Sequence, residues 1–101
     1  MKVSKLKDKP AREVHGAIMR EVITADDGAP NFTMRVVEVK PGSTTPSHSH
    51  PWEHEVFILS GQAVVKGKQG ETKITKDSVI YIAPDEHHCF VNKGNEPLRF
   101  V

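Results

Sequence analysis

The sequence predicts an all-β domain, a sandwich or double-sheet jelly roll, and three observations predict it. Turn signals recur roughly every eight to twelve residues, at Asp27-Gly28-Ala29-Pro30, Pro41-Gly42, Ser60-Gly61, Gly67-Lys68-Gln69-Gly70, Lys76-Asp77, Pro84-Asp85-Glu86 and Lys93-Gly94-Asn95. The runs between them are short and rich in Val, Ile, Phe and Thr, whose branched or flat side chains suit a pleated, half-buried surface. No run holds apolar residues at helical spacing over a useful length. Many short strands with regular turns fit folds that wrap or cover their edges, since bare edges invite pairing with other chains.

Residues 1–12 carry Lys2, Lys5, Lys7 and Lys9 with Asp8 among them, and read as a solvated, flexible segment ahead of a domain spanning 13–101. Strands are expected from Val14 to Ile23 and from Asn31 to Lys40, where Pro41-Gly42 breaks the alternation. Glu55 to Leu59 and Gln62 to Lys66 flank Ser60-Gly61 as a hairpin would. Thr72 to Thr75, Ser78 to Ile82, His88 to Val91 and Leu98 to Val101 complete the set. Phe32, Met34, Val36, Ile58, Phe90 and Phe100 are the expected core.

A chain of 101 residues with 37% hydrophobic content makes one domain. At this size folding buries about two thirds of the unfolded surface, so association would add stability. The net charge of +1 comes from 14 basic and 13 acidic residues interspersed along the chain. That mixture offers no basic face for nucleic acid and no acidic tail. No stretch approaches the roughly 18 apolar residues of a membrane span, and the N-terminus lacks a signal peptide's apolar centre. A soluble, cytoplasmic protein is expected, with Cys89, the single cysteine, as a buried free thiol.

The chemistry lies in the histidines. Five of the six fall in two clusters, His48-Ser49-His50-Pro51-Trp52-Glu53-His54 and His87-His88. On a strand His48 and His50 point to one face, His54 can rejoin that face after Pro51, and a second strand carrying His88 would close the set. Neutral imidazoles bind transition ions of the Mn, Fe, Co, Ni, Cu and Zn group, and the absence of an oxygen-rich shell disfavours calcium and magnesium. Four uncharged ligands leave the ion its full charge, which favours anionic or enolate-like molecules beside it. An octahedral ion would keep two positions open, whereas a tetrahedral zinc would be full. His87 is expected to face away from His88 and to be exposed, and His15 to be an ordinary strand residue. Glu53 and Glu55 are expected to be solvated or to orient imidazoles. Trp52 is expected at a pocket mouth or a subunit contact. The single tyrosine, Tyr81, gives little support to a metal-free isomerase with a His base and Tyr acid.

Gly42, His48, His50, His54 and Gly61 together resemble the first conserved motif of the cupin superfamily, and Pro84-Asp85-Glu86-His87-His88 with Asn92 resembles the second. The similarity runs from about Asn31 to Phe100. It is strongest to small single-domain cupins that bind a metal, often manganese, through four histidines, because Pro51-Trp52-Glu53-His54-Glu55 and Ala29-Pro30-Asn31-Phe32 are similar to theirs. Two departures from the wider pattern fit that subgroup: His54 stands where a glutamate ligand is usual, and Glu86 where glycine is commoner. The resemblance implies a jelly-roll β-barrel and one divalent transition metal per chain on His48, His50, His54 and His88, manganese first and Fe, Cu, Ni, Co or Zn otherwise. It implies a small-molecule substrate in the barrel, with Ile58, Phe90, Phe100 and Trp52 lining the pocket, and a homodimer. A dioxygenase-type oxidoreductase is the activity expected, with a non-catalytic binding or sensing module, or a metal-dependent isomerase, as alternatives.

Overall fold

Nine strands form where the alternating runs lie, in a computed structural model that describes residues 1–101. They are β1 (Ala11–Val14), β2 (Ala17–Ile23), β3 (Met34–Val39), β4 (His54–Ser60), β5 (Gln62–Gly67), β6 (Gly70–Thr75), β7 (Val79–Ile82), β8 (Cys89–Val91) and β9 (Leu98–Phe100). Two single 3-10 turns, Leu6–Asp8 and Ala25–Asp27, are the only helical pieces. The strands make a six-stranded sheet in the order β1-β2-β3-β9-β4-β7 and a three-stranded sheet in the order β6-β5-β8. All named pairings are antiparallel. This is the expected all-β jelly roll. No helix is long and apolar enough to cross a membrane.

The two sheets close over one apolar core. Val39, Ile58 and Leu98 are wholly buried, and the Phe90 and Phe100 rings stack 4.5 Å apart between the sheets. Asn92 is the polar member of this interior, with no exposed surface. Its Nδ2 donates to Val39 O at 3.0 Å and to Glu96 O at 2.7 Å, and its Oδ1 accepts from Gly94 N at 3.0 Å. One side chain thus ties the end of β8 to β3 and to the turn that leads into β9. Gly61, between β4 and β5, has φ 93°, and a Cβ there would lie 2.4 Å from Pro97 O. The turn therefore needs glycine for both conformation and space.

The structure corrects three expectations. The strand expected from Val14 to Ile23 is a hairpin: β1 ends at Val14, which pairs with Ala17, and His15 (φ 49°) and Gly16 (φ 84°) make the two-residue turn. Two successive positive φ angles are what a tight hairpin with the native strand twist requires. His15 is accordingly an exposed turn residue and not a strand residue. The first strand begins at Ala11, within the segment 1–12.

The third correction concerns β3. Val39 is buried and Val37 packs against the core, so the odd-numbered residues of β3 face inward. Val36 faces out, Met34 is 36% exposed and Phe32 69% exposed, so these three do not belong to the core. The run Met34-Arg35-Val36-Val37-Glu38-Val39 carries valine in both phases, and a one-residue change of phase exchanges the faces. Its consequence is that Arg35 points inward, on the same face as Val37 and Val39.

Candidate metal centre

Backbone pairing assembles the centre. His48 and His88 form an isolated antiparallel bridge, with His48 N donating to His88 O at 3.2 Å and His88 N donating to His48 O at 3.0 Å. Their ring centroids lie 5.0 Å apart. The period-2 step brings His50 to the same side, 5.4 Å from His48 and 5.3 Å from His88 by centroid. Asp85 N donates to His50 O at 2.7 Å and pins that backbone to the loop before β8. His54 opens β4 opposite Ile82, a buried residue, and so faces inward. Its Nε2 lies 2.7 Å from His50 Nε2.

The tautomers follow from the partners. His48 Nδ1 lies 2.8 Å from Pro46 O, His50 Nδ1 2.8 Å from Trp52 O, and His88 Nδ1 2.8 Å from Glu86 O. A carbonyl oxygen only accepts, so each Nδ1 carries the hydrogen and each Nε2 keeps a bare lone pair. One ring nitrogen from each of His48, His50 and His88 lies within 4.8 Å of the others, a group able to hold a metal ion. His54 stands beside this trio through His50. The Nδ1–carbonyl hydrogen bonds of His48, His50 and His88 are of the kind that fix imidazole orientation at metal sites.

Burial pushes His54 down to about 4, helped by electrostatic interaction with His50, then with Arg35, His88 and His48, each of which opposes a second positive charge beside it. His88 is also lowered, by burial first, against an opposing hydrogen bond to Glu86. Both rings are therefore neutral at pH 7, as a metal ligand must be. For the metal-free protein the folded pKa of His54 is below its ordinary 6.5, so the unfolded chain binds more protons as the medium becomes acid. Stability contributed by the neutral rings is present above about 6.5 and is lost as pH falls toward about 4. The chelated protein is expected to show a falling thermal midpoint across that window, and H54Q a flatter dependence. Parallel curves for the two would contradict this origin.

Trp52, 59% exposed, stacks flat on His50 with centroids 4.6 Å apart and planes 7° off parallel. It lines the mouth of an open cleft of about 1040 Å³, together with His54, Val56, Arg35 and Glu21. Ile58, Phe90 and Phe100 are buried in the packed core and do not line this cleft. Glu53 and Glu55 face each other in the open, and the Glu55 carboxylate raises Glu53. The hydrogen-bond partners of the imidazole Nδ1 atoms are backbone carbonyls and not these glutamates. His87 is exposed and Cys89 is a buried free thiol. Tyr81 is 61% exposed and pairs with Glu55, so it lies next to the strand of His54 yet faces away from the core side. Arg35 escaped sequence reasoning, because only the cross-strand register reveals its direction.

Residues 35–101 match the Cupin domain model. The structure aligns with that of the polyketide cyclase RemF from Streptomyces resistomycificus, TM-score 0.89 at 33% identity, over 99% of this chain and 75% of that one. The tetracenomycin polyketide synthase protein TcmJ of Streptomyces glaucescens is 26% identical over 88 residues, 85% of this chain. The chain spans 59% of the length of TcmJ. A predicted oxalate decarboxylase from Thermotoga maritima aligns with TM-score 0.87 at 20% identity, over 98% of this chain and 94% of that one, a likeness of fold.

Proposed function

Because the chain belongs to the cupin family, we propose that it holds one divalent transition metal on His48, His50, His54 and His88 and uses that centre to bind and activate a small, enolisable, oxygenated molecule. The observation that carries this reading is the set of bare lone pairs. Three imidazoles have their Nδ1 hydrogens committed to carbonyls, and a fourth approaches to 2.7 Å with no donor except a single shared proton. Facing lone pairs repel unless a cation lies among them. The ion proposed is manganese first, with Fe, Cu, Ni, Co or Zn as substitutes, since neutral imidazoles suit that group of transition ions.

When bound, the ion supplies a Lewis acid that polarises a carbonyl and stabilises an enolate. The protein's own residues do the rest. Neutral ligands leave the charge of the centre undiminished, and Trp52 and Val56 give the cleft an apolar wall that strengthens its field. The names of RemF and TcmJ favour polyketide-like substrates and non-oxidative enolate chemistry. The dioxygenase-type reaction expected from sequence shares the enolate and differs in its use of dioxygen. The test is metal-replete protein with pentane-2,4-dione and a linear triketide, with and without oxygen. Conversion without oxygen supports the first reading and oxygen-dependent conversion the second. Saturable binding without turnover supports a sensing module, and absence of metal from natively purified protein overturns the proposal.

The reading is of a cytoplasmic homodimer. Phe57, Val79 and Tyr81 are 42%, 77% and 61% exposed on the outer face of the six-stranded sheet, an apolar surface that a second subunit would cover.

A further inference from the structure

We propose that Arg35 determines specificity, receiving a second anionic group of a substrate whose first oxygen engages the imidazole centre, so that the ligand class is a small organic dianion such as a dicarboxylate or an enolisable keto acid. This inference rests on the metal-centre reading above and adds the chemistry of the ligand to it.

The odd-numbered residues of β3 face inward, and Arg35 opens that series at the cleft, half-buried, ahead of Val37 and Val39. An inward guanidinium normally finds a carboxylate. Glu21 stands directly opposite on β2, but its carboxylate lies 3.8 Å from Arg12 Nη2 instead. Arg35 takes part in none of the ion pairs of the chain. Its side-chain partner is Met19 Sδ, 3.7 Å from Nη1, a weak acceptor that satisfies little of a five-donor fork. Glu53 and Glu55, which also line the cleft, are occupied with each other.

Arg35 and His54 line one cleft from two strands, β3 and β4, that are separated only by β9 in the sheet. A monoanion can satisfy one of the two positive centres. A dianion can satisfy both, and a planar fork matches a carboxylate with two parallel hydrogen bonds.

The test uses metal-replete protein, with metal content measured by elemental analysis before and after calorimetric titration with malonate and with acetate. Wild type is expected to bind malonate at least about 10-fold more tightly than acetate, the size of one charge-assisted hydrogen-bond pair. R35Q, which removes the charge and the planar fork while leaving a polar side chain, is expected to bring the two within about 2-fold while metal content stays at the wild-type level. R35K is expected to fall between them. Retention of the malonate preference by R35Q, or its absence in wild type, overturns the assignment. Wild-type protein without metal fails at the elemental analysis and overturns the metal-centre reading as well, which separates the two failures.

Discussion

Replacing His50 by alanine is expected to weaken metal binding by at least about 100-fold, because loss of an outer partner of a ligand already costs 10- to 100-fold and loss of a ligand costs no less. His50 is the hub of the cluster. Its Nε2 is 2.7 Å from that of His54, and its ring stands 5.4 Å from His48 and 5.3 Å from His88. The Trp52 carbonyl and the Trp52 ring both hold it in place. H54A is expected to cost less, about 10-fold or more, since His54 lies outside the tight group formed by His48, His50 and His88. His50 is not part of the apolar core, so the chelated H50A protein is expected to melt close to wild type. Competition with a chromophoric chelator gives the affinities, and elemental analysis the stoichiometry. Wild-type affinity in H50A would remove His50 from the site.

The parts of this molecule that were legible in the sequence are those governed by local periodicity. The punctuation at Ser60-Gly61 and Gly67 to Gly70 marks real turns, and the strand ends from β4 to β9 fall within two residues of their expected positions. The spacing of His48, His50 and His54 anticipates their convergence, because side-chain direction alternates reliably in extended chain. Where two phases fit equally well, the sequence is silent. Val36, Val37 and Val39 satisfy either face of β3, and only pairing with Met19, Phe100 and Leu98 selects the odd series. The same choice exposes Met34 and turns Arg35 inward. The hairpin at His15-Gly16 was hidden for a different reason. A histidine in the left-handed region leaves no strong signal beside a lone glycine, and the flanking alternation runs through it. The three carbonyls that hold the imidazoles are also invisible from spacing, since backbone partners carry no side-chain signature.

The second large effect is expected at Asn92, where the core and the centre meet. Asn92 lies four residues beyond His88, and its backbone continues the register of that segment, with Asn92 N donating to Ser43 O at 2.9 Å and Gly42 N donating to Asn92 O at 2.8 Å. Its side chain satisfies two carbonyls and one amide in a place closed to water. N92A would leave the Val39 and Glu96 carbonyls and the Gly94 amide without that partner, at about 1–3 kcal/mol for each group that stays buried. A net loss of about 2–4 kcal/mol is expected, since the bond to Val39 is fully buried and the others lie nearer the surface. For a domain of this size that lowers the thermal midpoint by about 10–20 °C. N92L separates the causes: it restores the volume but not the hydrogen bonds, so if polar satisfaction dominates it will melt as low as N92A. Recovery of most of the midpoint in N92L would instead assign the loss to a cavity. In either variant the His48–His88 bridge retains its own backbone bonds, so metal affinity at a temperature where the protein stays folded is expected to fall less than in H50A. An affinity loss equal to that of H50A would mean that the clasp positions His88 directly and does not merely stabilise the sheet that carries it.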